Sequence, residues 1–263
     1  MKSIVLQERD KQILDLLRDQ GFVSFEQLLN RHFKSANACS KRLLLLQNND
    51  YIKSKTIKEY FQNNKTKGFF PHQLSLGLKG QSKIYFLSTS YRKLVCETNR
   101  LLKPDLCIHQ LLLNEIRFFL ESEIKDARFL LNDPQLKILS EHQLARRKEF
   151  TPDISIEHHG YTMAVELERT QKSANRYSSR FWYYRDSVYT HVIYYYVNEA
   201  HLRILLRYAG QARKFGFAHY LRPNQVLSKA WGYMTINEWI SKVTSIQPKK
   251  SAVSTASLSQ QTT

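Results

Sequence analysis

Residues 151–172 read TPDISIEHHGYTMAVELERTQK, and the fold of the second half of the chain turns on them. Tyr161 to Glu168 alternates and then closes on Glu166 and Glu168, so a strand of period two sets both glutamates on one face. His158-His159-Gly160 is turn material, since glycine accepts the backbone angles of a short hairpin. Asp153 opens the first strand, across the hairpin from the glutamates. Three carboxylates are therefore expected to converge. Such a cluster is costly unless a cation neutralises it, and an all-oxygen donor set suits a hard cation such as Mg²⁺ or Mn²⁺.

Outward from the hairpin the chain alternates helix and strand. Behind it, SANRYSSRFWYYRDS reads as a helix carrying Arg176, Tyr177, Arg180, Tyr183 and Tyr184. HVIYYYV is a buried strand by its β-branched and aromatic content. AHLRILLRYAGQARK is an amphipathic helix, FAHYL a short strand, and a last helix is expected around Ile236 to Val243. In front lie an apolar helix, LCIHQLLLNEIRFFLESEI, a strand at ARFLL (127–131), and a polar segment from Ser140 to Phe150 holding Arg146, Arg147 and Lys148. Pro104 breaks any helix before it and sets a boundary between residues 1–103 and a domain of 104–246. Residues 247–263 are Ser/Thr/Gln-rich and expected to be disordered.

The first hundred residues follow another pattern. VLQERDKQILDLLRD has the spacing of an amphipathic helix, which Gly21 ends. Ser24 and Ser35 are placed to cap a second and a third helix. A strand at Tyr51-Ile52-Lys53, a loop from Asn63 to Lys83 and the strand KIYFLST complete the order helix, helix, helix, strand, loop, strand. That is the order of a winged helix-turn-helix, in which the third helix enters the major groove. Asn37, Ser40, Lys41 and Arg42 are then the exposed candidates on that helix, and Lys65, Lys67 and Lys79 lie in the wing. The other reading is a small helical domain used for protein contact.

Charge agrees with an anionic partner. Forty Lys and Arg against 23 Asp and Glu give a formal net charge of +17, which steers and concentrates polyanions; nucleic acid comes first and an acidic membrane surface second. No apolar run approaches the ~18 residues needed to span a bilayer, and the N-terminus lacks a signal-peptide pattern. Cys39, Cys96 and Cys107 are odd in number and without CxxC spacing, which is expected of buried thiols in a reducing cytoplasm.

Helix, strand, hairpin, helix, strand around D…ExE resembles the PD-(D/E)xK restriction-endonuclease-like core. Pro152-Asp153 matches the first half of that signature, and Glu166-Leu167-Glu168 the second half except in its last position, where the common pattern has lysine. With the N-terminal winged helix, His109-x4-Asn114-Glu115-Ile116-Arg117, and VELERTQKS followed by RY, the chain looks like the replication-relaxation family, which includes the MobC-type plasmid mobilisation relaxases. The resemblance covers roughly residues 5–220. It implies an α/β fold of a winged helix-turn-helix followed by a restriction-endonuclease-like domain. It also implies a bacterial cytoplasmic enzyme that nicks one DNA strand at a plasmid transfer origin for conjugation, alongside an accessory mobilisation or coupling protein. The chain has no HxHxH triplet, in keeping with a nuclease-like site.

Within that reading Asp153 and Glu166 bind the metal, and Glu168 is a third ligand or a general base. Lys172 resembles a migrated form of the missing lysine, and Glu115 matches a position from which related cores supply a further ligand. The nucleophile is a tyrosine, with Tyr177 and Tyr184 two helical turns apart on one face and Tyr183 pointing elsewhere, or else a water molecule. Arg176, Arg180 and Arg185, with Arg146, Arg147 and Lys148, are expected to line a DNA channel. Tyr184 and Trp182 are possible stacking platforms, although Trp182 is expected in the core, and His109 is expected to be a packing residue. Two other readings remain: a non-catalytic DNA-binding regulator with a decayed core, and a double-strand-cleaving nuclease acting as a dimer.

Overall fold

The computed structural model describes residues 4–62, 83–95, 104–126, 137–140, 144, 150–158 and 161–246. Its first unit begins with α1 (Glu8–Gln20), whose Ile13, Leu14 and Leu17 form the buried stripe. Gly21 takes φ 75°, a left-handed angle that costs glycine little, and its N–H closes the helix on the Leu17 carbonyl at 2.9 Å. β1 (Val23–Ser24) follows, and the Ser24 side chain caps α2 (Phe25–His32). In that capping box Gln27 N–H donates to Ser24 Oγ at 3.1 Å, while Ser24 N–H donates to Gln27 Oε1 at 3.1 Å. Ser35 caps α3 (Ala36–Asn48), as its position in the sequence suggests. Next come β2 (Ile52–Thr56), α4 (Ile57–Gln62), β3 (Lys83–Leu87) and α5 (Thr89–Leu94), with a small sheet in the order β1-β3-β2. The three expected helices and two expected strands stand in the expected order, with β1, α4 and α5 added. The loop carrying Lys65, Lys67 and Lys79 lies outside the described residues.

α6 (Pro104–Asp126) starts on the proline. A residue without an N–H and with φ preset near helical values suits a first helical position. This helix joins the two halves. Its Cys107, Ile108, Leu111 and Leu120 belong to one continuous core with Phe22, Ile84 and Phe86 on one side and Ile154, Ile156 and Val165 on the other. Fully buried Asn114 donates to the Phe22 carbonyl at 2.7 Å, and Arg31 pairs with Glu121 at 2.5 Å. Apolar packing thus runs through the boundary placed at Pro104.

The second half is built on a seven-stranded sheet. Its elements are β4 (Lys137–Ser140), β5 (Ile154–His158), β6 (Tyr161–Glu168), α7 (Ala174–Asp186), β7 (His191–Tyr196), α8 (Glu199–Ala209), β8 (Phe215–His219), β9 (Gln225–Ser228), β10 (Gly232–Thr235) and α9 (Ile236–Ser245). The strand order is β10-β9-β8-β7-β6-β5-β4. β6, β7 and β8 run parallel in the centre, and the flanking pairs are antiparallel.

Both faces of the centre are covered. Met163, Val165, Leu167, Ile193 and Tyr195 pack with α6 and α9, and Ala164, Val192, Tyr194 and Tyr196 pack with α7 and α8. Burial on two faces explains the unbroken apolar run of β7. The expected hairpin, the helix behind it, the HVIYYY strand and the last helix are all present, whereas β4, β9 and β10 are additions. The strand expected at 127–131 falls outside the described residues. Among those residues no helix is long and apolar enough to cross a membrane, and Cys39 and Cys107 are buried free thiols.

Candidate active site

β5 and β6 pair antiparallel, from Ile154 opposite Val165 to His158 opposite Tyr161. Carrying that register back by one residue sets Asp153 opposite Glu166. Asp153 is fixed there by two donors: Leu167 N–H reaches its Oδ2 at 2.7 Å, and His109 Nε2 of α6 lies 3.4 Å from its Oδ1. Glu166 and Glu168, two residues apart on β6, share one face and are 2% and 1% exposed.

Each carboxylate has its own basic partner. Arg180 of α7 donates to Glu166 Oε1 from Nε at 3.1 Å and Nη2 at 2.7 Å, and that Nη2 also donates to the Thr151 carbonyl at 3.0 Å. The Tyr184 hydroxyl donates to the same Glu166 oxygen. Lys172 Nζ sits 3.0 Å from Glu168 Oε2, while Glu168 Oε1 is buried without a hydrogen-bond partner. The Lys172 backbone N–H donates to the Tyr177 hydroxyl at 3.2 Å.

Burial sets the electrostatics, and local partners modify it. Desolvation pushes Glu166 up to about 7 despite the opposing pull of Arg180. It also raises Glu168, against Lys172. Asp153 goes the other way. Burial by itself would raise it, but His109, the Leu167 N–H and Arg180 together hold it below the usual carboxylate range. The phenols are raised too, Tyr177 to about 12 and Tyr184 well above its ordinary value, chiefly by desolvation. In this geometry neither tyrosine ionises near neutrality.

Several residues stand where the sequence placed them. Tyr177 and Tyr184 are both buried on the face of α7 that meets the carboxylates, and Tyr183 turns away to pack on Phe150 at 5.2 Å. Lys172 reaches the cluster. Arg176 is exposed on α7, and Asn37, Ser40 and Lys41 are exposed on α3.

Others need correction. Arg180, expected in a DNA channel, is the internal counterion of Glu166 and its side chain is only 14% exposed. Arg42, expected to face a groove, is held by Asp10 through Nε at 2.8 Å and through Nη2, because fully buried Asp10 needs a cation. Glu115 is exposed on α6 and accepts from Gln27 Nε2 at 2.8 Å, on the side of the first unit. Six residues along a helix is about 240° of rotation from His109, so the two side chains cannot serve one point. Arg117 pairs with Glu121 at 2.9 Å rather than with Glu115. Trp182, expected in the core, is 62% exposed, and Tyr184, considered for stacking, is fully buried. Arg185 donates to the Tyr208 carbonyl at 3.0 Å. Lys65, Lys67, Arg146, Arg147 and Lys148 lie outside the described residues.

The residue that sequence reasoning underrated is His109. Its signal was a single titratable ring among leucines on an apolar helix, which sequence alone equates with packing. The expected convergence of three carboxylates takes a different form, because each is drawn to a separate basic side chain. Among the described residues no three His, Cys, Asp or Glu side chains are placed to grip one ion together. No protein-family model, curated protein or solved structure matches the chain.

Proposed function

We propose that the protein is a metal-dependent DNA-nicking endonuclease with a winged helix-turn-helix followed by a PD-(D/E)xK-like core, acting as a plasmid mobilisation relaxase. One observation carries the reading: Asp153, Glu166 and Glu168 gather at one end of a hairpin, with Lys172 on Glu168. Carboxylate oxygens are the donors a hard divalent cation takes, but here each carboxylate is turned to its own partner, His109, Arg180 or Lys172, and not to a common point. Asp153, Glu166 and Glu168 would hold such an ion together only once Arg180 and Lys172 turn away from Glu166 and Glu168. When bound, it would polarise the scissile phosphate.

The chain's own groups supply the rest. Lys172 brings positive charge to the place where the signature lysine is missing, and charge fixed in a dry site stabilises the pentavalent phosphorus of the transition state. His109 and the Leu167 N–H hold Asp153 ionised and oriented. Arg180 and Tyr184 fix Glu166. Because both phenols are buried and raised, the geometry favours water over Tyr177 or Tyr184 as nucleophile. The exposed Asn37, Ser40 and Lys41 of α3 support duplex binding by the first unit.

A second reading, a non-catalytic DNA-binding regulator, is favoured by the pairing itself: Arg180 and Lys172 balance Glu166 and Glu168, and the His109 ring lies against Asp153, without an added ion. One assay separates the two. Supercoiled plasmid carrying a cognate transfer origin is incubated with Mg²⁺ or Mn²⁺ and either wild type, Asp153→Ala or Glu166→Ala. Open-circular product from wild type alone supports the enzyme; no product, or undiminished nicking by both variants, rejects it. Linear product would indicate a double-strand nuclease, and an end blocked until protease treatment would indicate a tyrosyl intermediate.

A further inference from the structure

The edge of the sheet that carries Glu168 continues into a second concave site. β6, β7 and β8 are parallel, so their carboxyl ends open on the same side, where α/β proteins commonly bind ligands. Register sets Glu168 beside Tyr196 and Tyr196 beside His219. Those neighbours lie on the same face, one and two strand spacings away, or about 5 and 10 Å. Beyond Glu168 the sheet edge holds a cavity of about 240 Å³. Tyr196 and His219 form its floor, edge to face with ring centroids 5.3 Å apart. Leu221 and Tyr233 line it from the rim and remain 64% and 61% exposed, and Arg222 and Glu199 add one charge of each sign.

Size and chemistry restrict the occupant. The volume is below the roughly 300 Å³ at which sites for drug-sized ligands begin, so it admits one ring system rather than a large cofactor. An exposed tyrosine ring at a cavity mouth is a stacking platform for a nucleobase. A guanidinium beside it suits a phosphate, and a carboxylate can accept from a base amino group or a sugar hydroxyl. Burial and the neighbouring Glu199 push the Tyr196 phenol up to about 12, so the floor presents a neutral hydroxyl.

We propose that this cavity receives one unpaired nucleotide of a single DNA strand, its base against Tyr233 and Leu221 and its phosphate on Arg222. The proposal rests on reading the Asp153–Glu168 cluster as a DNA-cleaving site, past which a bound strand would run along the ends of β7 and β8. It also separates the roles of the two halves: duplex on the first unit, an open strand on the sheet edge.

The test uses the full chain without added metal. A short oligothymidylate bearing one 5-iodouracil is bound, irradiated and mapped by mass spectrometry, and affinities for the single strand and for a duplex of equal length are measured by fluorescence anisotropy. Crosslinking to the peptides of Leu221 or Tyr233 is expected. Tyr233→Ala should weaken single-strand binding by about five- to a hundred-fold with little change for duplex. Arg222→Ala should lower the salt dependence of single-strand binding by about 0.7 in log–log slope. Both side chains are exposed, so both variants should fold, which circular dichroism checks. Crosslinks confined to other peptides, wild-type single-strand affinity in both variants, or equal losses for single strand and duplex would overturn the proposal. So would thymidine monophosphate binding here while the oligonucleotide does not, since that would make the ligand a free nucleotide. Crosslinking here without plasmid nicking keeps the nucleotide site and removes the nuclease reading; nicking without crosslinking here does the reverse.

Discussion

Arg180 grips Glu166 with two nitrogens on a single carboxylate oxygen, Nε at 3.1 Å and Nη2 at 2.7 Å, in a place where the glutamate is 2% exposed. A guanidinium committed in this way cannot also follow a DNA backbone. Its first consequence is for stability.

Above the raised Glu166 value, where its carboxyl is ionised, replacing Arg180 with alanine strands a buried carboxylate and frees the Thr151 carbonyl. Breaking one side of a buried pair costs about 3–5 kcal/mol. Arg180→Ala should therefore lower the free energy of unfolding by about that much in urea titration, and Arg180→Lys by less, since it keeps the charge and loses the fork. A loss below about 1 kcal/mol for the alanine variant would show that the pair is not what holds α7 to β6.

Glu166 also predicts a pH dependence. Its folded pKa is raised from 4.5 to about 7, so between those values the native state binds more protons than the unfolded chain. Stability from this group is fully present below about pH 4.5 and declines as pH rises towards 7. Glu166→Gln removes the titration. The difference in unfolding free energy between wild type and Glu166→Gln should shift against wild type across that window, and a difference independent of pH would contradict the raised value.

Lys172 is the test of the proposed chemistry. Lys172→Ala removes the ammonium at 3.0 Å from Glu168 and should reduce plasmid nicking by about 10²–10³-fold, the usual effect of losing one group that stabilises transition-state charge. Lys172→Arg should retain part of the rate. Nicking by the alanine variant within threefold of wild type would assign Lys172 to structure alone.

On the first unit, neighbouring basic residues of α3 should behave differently. Arg42 neutralises Asp10, which is fully buried, so Arg42→Ala should cost about 3 kcal/mol of stability. Lys41 is exposed, and Lys41→Ala should leave stability within about 0.5 kcal/mol. It should instead weaken duplex binding and lower the salt slope by about 1. Thermal melts and salt-dependent anisotropy on the same two variants check both halves of the contrast.

Packing gives a further check at Gly216. A Cβ there would stand 2.8 Å from Val226 Cγ1 and 2.9 Å from Trp239 Cε2. Gly216→Ala should destabilise by about 1–3 kcal/mol through overpacking, read as a lower melting temperature; an unchanged melt would mean that Trp239 can move aside.

Much of this was legible in the chain. Period-two alternation and a glycine turn were enough to place the Asp153–Glu168 hairpin, and Ser24 and Ser35 were readable as caps because capping is a local hydrogen-bond problem. The chain also specified that Glu166 and Glu168 share a face and that Tyr177 and Tyr184 share another, since both follow from repeat geometry. What it left open was the phase of α7. Its run Phe181-Trp182-Tyr183-Tyr184 is aromatic on every side, so hydrophobicity cannot choose a buried stripe. Tertiary packing chose it: Phe181 stacks on Tyr194 at 4.8 Å, and that contact turns Tyr184 inward and Trp182 to solvent. The same choice delivers Arg180 to Glu166. Likewise His109 became part of the site because α6 crosses the sheet at the start of β5, a contact 44 residues away in sequence. The sequence by itself determined which chemical groups the hairpin carries; only the tertiary structure decided which side chain each one meets, because partners drawn from different elements are fixed by packing and not by local periodicity.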